Sequence, residues 1–423
     1  MVSRQLLVAK PKKCYFCHRF TAIYLMLFSN YALFFSILLF VTLYVAAKWC
    51  FKKSWLNNIL LVGGNVLILT QIVSWKSLFL LSLLALLAYG VGLLLRKRKS
   101  GWVLGLALSL LILLFAVRNY PLVQSWLGGW WTDTMGKHFL SVEKLGLSYI
   151  LFRIIHWLVE SYKGTLRTRD FLTYLNYLFF FPTFMAGPID TLNNFHYWLN
   201  TTHIRFNRRM FFAGVGRIFL GAVKTLLIVP LIKPYAVDYE MFLPQLGLWG
   251  AVVSAAVLYS IYIYIDFSGY CDMAIGMAYM MGVRTPENFN NPYLSTNISE
   301  FWKRWHITFS TFLLIYVFKP VISLLNRLPI AKCRMVVSIT AYMITFFVCG
   351  LWHGSTLNFV MWGLWHGIGL SVYKLLTYGK PVEEPTALRK VAGIGGTFLF
   401  VTIGWVFFNY PVDKLVIMFK LLF

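Results

Sequence analysis

The side chains able to do chemistry gather between Tyr262 and His366, in the stretches IYIDFSGYCDMAIG, ENFNNPYLSTNISEFWKRWH and CGLWHGSTLNFVMWGLWHG. Ionisable groups in membrane-like surroundings are expensive, which makes each of them a functional-site hypothesis. His353 lies in Gly350-Leu351-Trp352-His353-Gly354, at the end of an apolar run and between two glycines that permit a bend or a close approach. An imidazole in apolar surroundings favours its neutral form. In that form it can take the proton from a hydroxyl attacking an acyl group. The competing reading is a histidine hydrogen-bonded between helices. His306 closes the FWKRWH stretch, 353 − 306 = 47 residues earlier. It is either a second polar contact for a substrate or one more amphipathic side chain beside Trp302 and Trp305. His366 repeats the Trp-His-Gly pattern 366 − 353 = 13 residues later. On one continuous helix that offset is about 3.6 turns and roughly 20 Å, too far to share an atom with His353, which assigns His366 a structural role. Asp266, Asp272 and Glu287 read as structural ion pairs with Arg284, Lys303 or Arg304, or else as a proton relay.

Other catalytic patterns are missing from the sequence: it holds no G-x-S-x-G elbow, P-loop or H-E-x-x-H helix. Cys14-Tyr-Phe-Cys17-His18 matches C-x-x-C-H, but its setting is a short basic tail with Lys12, Lys13 and Arg19. Haem also requires a surrounding pocket, so no cofactor is assigned there. The six cysteines are scattered and imply no disulfide framework.

The chain that must position these groups has 423 residues, 59% of them hydrophobic and 13% charged, with mean hydropathy +0.69. Charged residues near a quarter are usual in soluble domains, so this is a polytopic, all-α integral membrane protein. The net charge of +25 sits in short clusters between apolar runs. Such clusters fit positive-inside topology and anionic lipid headgroups, with attraction of an acidic carrier protein or an anionic polymer as a further use. Nucleic acid is not an expected partner, because the sequence has no basic helix or aromatic-interleaved soluble patch to carry it.

Residues 1–20 form a basic lead-in, and 21–423 a single transmembrane domain. The apolar run after Arg19 is too long for a signal-peptide core, so no cleavable leader is expected. Spans are expected at 21–47, 57–75, 77–95 and 102–117, followed by an interfacial loop over 118–140 with Trp126, Trp130 and Trp131. The clusters at 48–53 and 96–99 outweigh the N-terminal tail and favour an N-terminus outside. Leu145 to Val159 is apolar but interrupted by Arg153 and His156. Gly187-Pro188-Ile189-Asp190 breaks the helix pattern near membrane depth, which is tolerated only where protein buries the backbone or water reaches it. Spans near 246–265, 308–326, 335–350, 355–377 and 391–409 complete about eleven crossing elements. Between them, Asn297 or Ser299 caps a short interfacial or re-entrant helix carrying Glu300 to His306.

These motifs, in order and at this spacing, resemble the membrane-bound O-acyltransferase family, and within it the bacterial branch that modifies cell-envelope polymers. The matching segments are LGLSYILFRIIHWLVESYKG, FFPTFMAGPID, IDFSGYCDMAIGMAYMMGVRTPENFNNPYLSTNISEFWKRWH, GLWHGSTLNFVMWGLWHGIGL and FVTIGWVFF, a core over 145–410. The resemblance implies a ring of tilted helices with re-entrant pieces around a central tunnel. In it His353 is the catalytic histidine and His306 its partner. Trp302, Arg304, Trp305, Asn291, Trp352 and Asp266 become candidate tunnel and substrate contacts. It also implies an acyl donor carried as a phosphopantetheine-type thioester, on a carrier protein or coenzyme A, at the cytoplasmic side. The acceptor would be an extracytoplasmic polymer, met with or without a periplasmic or extracellular partner protein, and the location a bacterial cell membrane.

Two branches compete. The Phe-Pro-Thr…Gly-Pro-Ile-Asp element of residues 181–190 is similar to the D-alanyl transfer proteins of teichoic acid modification. DFSGY, PENFN-PYL and GWVFF are closer to alginate-type O-acetyltransferases. Those usually carry Phe-Arg-Asp-Tyr and Gly-Gly-Asn where this chain has Leu313-Leu314-Ile315-Tyr316 and Lys319-Pro320. D-alanyl transfer is the leading expectation and acetyl transfer the alternative. A transporter or flippase using Asp266 and Asp272 is the rival of another class.

Overall fold

The computed structural model describes residues 30–51, 54–126, 144–202, 207–381 and 386–422. The basic lead-in with Cys14, Cys17 and His18, and most of the expected interfacial loop, lie outside the described residues. Among those described, nine helices are long and apolar enough to cross a membrane, and the architecture is that of an all-α polytopic membrane protein.

Helix starts follow capping chemistry. Asn30, Ser74, Ser100, Asp170, Asn207 and Asn297 each accept a backbone N–H from the first turn of the helix they precede. Trp75–Arg98 ends on Arg96, Lys97 and Arg98, which complement the carbonyl end of the helix. Each of the sequence-expected spans within the described residues falls on a helix, including Gly101–Asn119, Arg334–His353, Leu357–Thr377 and Ala387–Asn409. Leu243–Met280 goes further than expected. After a kink at Gly247 (φ 63°) it stays helical through Asp266-Phe267-Ser268-Gly269-Tyr270, and its second half is almost wholly buried.

That long helix is the centre of the molecule, and Arg208–Ala222 lies tightest against it. A Cβ on Gly221 would sit 2.5 Å from the Gly269 carbonyl, and one on Gly276 would sit 2.6 Å from the Gly214 carbonyl. Without a hydrophobic drive between helices in lipid, close approach over small residues is what holds such a pair. The same helix face carries Arg217 and Lys224, three residues beyond Gly214 and Gly221. Arg217 Nη2 lies 2.6 Å from Asp272 Oδ1, Lys224 Nζ lies 2.7 Å from Asp272 Oδ2, and Arg217 also pairs with Glu287. The ion-pair expectation for Asp272 and Glu287 therefore holds with other cations. Arg284, Lys303 and Arg304 are not the partners, because the glycine crossing brings Arg217 and Lys224 there first.

Two further charges differ from their sequence placement. Lys48, which the sequence places in a loop cluster, is buried and donates to the Met281 carbonyl at 3.2 Å, closing the end of the long helix. Arg153 is also buried. It donates to the carbonyls of Tyr177 (2.8 Å), Leu178 (2.8 Å) and Thr183 (2.7 Å), and to Thr183 Oγ1 (2.6 Å). These are the carbonyls freed where Phe171–Phe179 stops and the Gly187–Asp190 break begins. The broken backbone is thus buried by protein, as its depth requires.

Candidate active site

His353 is the last residue of Arg334–His353, and the chain turns at Gly354 into Leu357–Thr377. The two helices form a close hairpin. A Cβ on Gly350 would lie 2.4 Å from the Phe359 carbonyl, and one on Gly363 would lie 2.2 Å from the Phe346 carbonyl. Tyr120 anchors the turn by donating to the Leu351 carbonyl at 2.5 Å. The single continuous helix assumed between His353 and His366 is not present: the chain folds back at Gly354, and Trp362 lies against both rings, with centroids 4.8 Å and 5.1 Å away. His366 is fully buried and accepts the Trp302 indole N–H at 3.3 Å.

The His353 ring is framed by Trp352 (4.6 Å between centroids), Phe408 (5.1 Å) and Phe309 (6.2 Å). The residue is only partly buried. His306 reaches the same place from another element. It links the short helices Ile298–Arg304 and Ile307–Leu313, with a left-handed backbone at φ 43°. Such a conformation in a non-glycine residue costs on the order of 1–3 kcal/mol and is characteristic of functional sites. An extended segment opposite holds the bend: Ile307 N–H donates to the Asn288 carbonyl at 2.9 Å, and Asn290 N–H to the Arg304 carbonyl at 3.0 Å. The His306 ring lies 5.0 Å from Phe309 and 4.8 Å from Phe267. Phe309 thus touches both imidazoles.

The other candidate residues divide. Trp302 and Trp305 are buried in the core, so their helix re-enters the protein instead of lying at a lipid interface. Trp352 packs 4.4 Å from Phe309 and walls the histidine cluster. Arg304 is engaged by Glu300 at 2.6 Å. Asn291 sits on an exposed turn with φ 44°. Asp266 is buried on the long helix, where the nearby charge is Lys233.

Sequence reasoning missed a cavity of about 560 Å³ lined by His156, Asp190, Arg284, Glu287, Thr308 and Tyr316 among others. Arg284 and Glu287 are exposed at its outer side, whereas Asp190 and Thr308 are buried. It therefore leads inward to within two residues of His306. On its wall, Leu192 N–H donates to His156 Nε2 at 3.1 Å, His156 Nδ1 meets the Tyr316 hydroxyl at 2.7 Å, and Tyr316 donates to Glu160 at 3.1 Å. The signal available for this cluster was His156 interrupting an apolar run.

A profile of the membrane-bound O-acyltransferase family matches residues 64–411. That match takes in helices well before residue 145, where the recognisable motifs begin. The chain is 29% identical over 279 residues to a teichoic acid D-alanyltransferase of Bacillus subtilis, covering 63% of this chain and 69% of that protein. It is 32% identical over 270 residues to a probable alginate O-acetylase AlgI of Pseudomonas aeruginosa, covering 63% and 48%. A peptidoglycan O-acetyltransferase of Helicobacter pylori is 34% identical over 243 residues, covering 56% and 44%. The chain thus spans about half the length of these acetyl-transferring relatives.

Proposed function

Because the chain belongs to the membrane-bound O-acyltransferase family, we propose that it moves an activated acyl group from a thioester donor onto hydroxyls of an extracytoplasmic envelope polymer. The observation that carries this reading is the meeting of His353 and His306 on Phe309, beside a cavity that runs inward from exposed Arg284 to Thr308. His353 takes the proton of the acceptor hydroxyl. The oxygen attacks the thioester carbonyl, and the thiolate leaves as the new ester forms. The donor's phosphopantetheine-type arm belongs to the carrier or coenzyme, and the protein supplies position and proton acceptance.

D-alanyl from a carrier protein is the favoured cargo, supported by the Phe181-Pro182-Thr183…Gly187-Pro188-Ile189-Asp190 element and by the Bacillus relative. Acetyl transfer is the second reading, supported by identities of 32% and 34% to O-acetylating relatives. The transporter alternative loses one of its acids, since both Asp272 oxygens are occupied by Arg217 and Lys224. The deciding experiment reconstitutes the protein in liposomes with a D-alanyl-loaded carrier, an acetyl donor and a polyol-phosphate acceptor. Mass spectrometry then reads ester formation. D-alanyl esters support the favoured cargo, acetyl esters replace it, and solute flux without either ester overturns the reading.

Substitutions at His306 separate ring from backbone. His306→Gly relieves the positive φ, and His306→Asn tolerates it, so both are expected to melt no lower than His306→Ala. Acylation should nevertheless fall on the order of 10²-fold in the Gly and Ala variants, and less in Asn. Wild-type rates in His306→Gly would return the ring to a structural role.

A further inference from the structure

Asn288 makes more contacts to the His306 bend than any turn residue needs. Its Oδ1 faces three groups: His306 Nδ1 at 3.0 Å, Thr308 Oγ1 at 2.9 Å and Thr308 N at 3.3 Å. A backbone N–H can only donate, so this side of the amide must be the oxygen. The Thr308 hydroxyl already accepts the Ile189 N–H at 3.0 Å, leaving its own proton for the same oxygen. The remaining amide side agrees, since Nδ2 donates to Cys271 Sγ at 3.2 Å. Facing an oxygen with no proton to give, His306 Nδ1 must itself carry hydrogen. The neutral ring then has a bare lone pair on Nε2, an atom that is fully buried and has no hydrogen-bond partner among the described residues.

We propose that Asn288 is the positioning residue that locks His306 in the Nδ1–H tautomer, so that Nε2 is a fixed hydrogen-bond acceptor for a substrate N–H or O–H. A neutral imidazole held this way cannot donate to the developing oxyanion. The reacting hydroxyl's single proton goes to His353, so His306 grips a different donor, a neighbouring hydroxyl of the acceptor or an ammonium on the acyl cargo, and leaves charge stabilisation to other groups. The tautomer stands on the hydrogen-bond geometry and on the burial of the unpartnered Nε2; only its consequence for catalysis rests on the acyltransferase reading.

The two parts are tested separately. Full-length protein labelled with ¹⁵N-histidine in detergent micelles gives a spectrum in which a His306→Asn subtraction identifies the His306 ring. Wild type is expected to show protonated Nδ1 and bare Nε2. Asn288→Ala should move the ring toward the other tautomer, and Asn288→Asp, which keeps the acceptor oxygen, should not. A wild-type ring protonated on Nε2, or an unchanged ring in Asn288→Ala, overturns the assignment even if the enzyme is active. Should Asn288→Ala fail to fold, the wild-type and Asn288→Asp spectra still decide. For catalysis, kcat should fall on the order of 10²-fold in Asn288→Ala and recover in part in Asn288→Asp with an altered pH profile. Equal loss in both variants, with the Asp tautomer intact, would overturn the catalytic consequence. Loss of transfer in wild type under every donor would instead indict the acyltransferase reading and leave the tautomer standing.

Discussion

Replacing His353 by alanine is expected to lower polymer acylation by about 10²- to 10⁴-fold, the range for removal of a general base, with protein level in the membrane unchanged. The packing argues that this loss is chemical. The ring ends its helix at the Gly354 turn and is only partly buried. The hairpin it belongs to is held by backbone contacts at Gly350 and Gly363 that do not involve the imidazole. Phe359, Trp362 and Phe408 form a continuous aromatic wall behind it, with 5.0 Å between Phe359 and Phe408 and 5.2 Å between Trp362 and Phe408. Truncation leaves that wall in place. The check is ester formation by mass spectrometry, normalised to membrane-extracted protein, alongside the melting temperature of each variant. Wild-type acylation in His353→Ala would end the mechanism. A collapse of Tm with the activity would assign the histidine to structure.

Spans were legible because each is a long, mostly apolar run, some with a polar cap before it, as at Ser100 before Gly101–Asn119. The broken backbone at Gly187-Pro188 was legible because those residue types prohibit a regular helix. The histidine pair was legible as chemistry, since a costly polar group in apolar surroundings calls for a reason. What could not be read was anything decided by contact across the chain. Arg217 and Asp272 are 55 residues apart and meet through two glycine faces. The break between the spans at 335–350 and 355–377 was legible, but the closeness of their hairpin was not, because Gly350 and Gly363 set it against carbonyls of the opposite helix. Lys48 looked like a loop charge, although its partner carbonyl lies 233 residues away. Asn288 sat unnoticed in an asparagine-rich turn, whose neighbours Asn290 and Asn291 are exposed.

Arg153→Met is expected to produce the largest loss of stability. A buried guanidinium is costly to desolvate, and among the described residues its hydrogen-bond acceptors are three carbonyls and a hydroxyl, with no carboxylate. Arginine suits this task because its planar fork offers several donors at fixed angles. The carbonyls of Tyr177 and Leu178 have no partner within their own helix once it ends at Phe179. Methionine fills the space of the stem and removes every donor. Each orphaned acceptor then costs roughly 1–3 kcal/mol, offset in part by the relieved desolvation of the charge, for a net loss of about 3 kcal/mol or more. Lysine, with a single rotatable ammonium, should recover only part. The purified variants would be compared by thermal unfolding in detergent. The same substitution should loosen the 177–191 segment, whose Ile189 N–H reaches Thr308 and whose Asp190 lines the cavity. Activity is therefore expected to fall even at temperatures where the variant stays folded. An Arg153→Met protein that melts with wild type would show that the broken backbone is held by packing and not by this clamp.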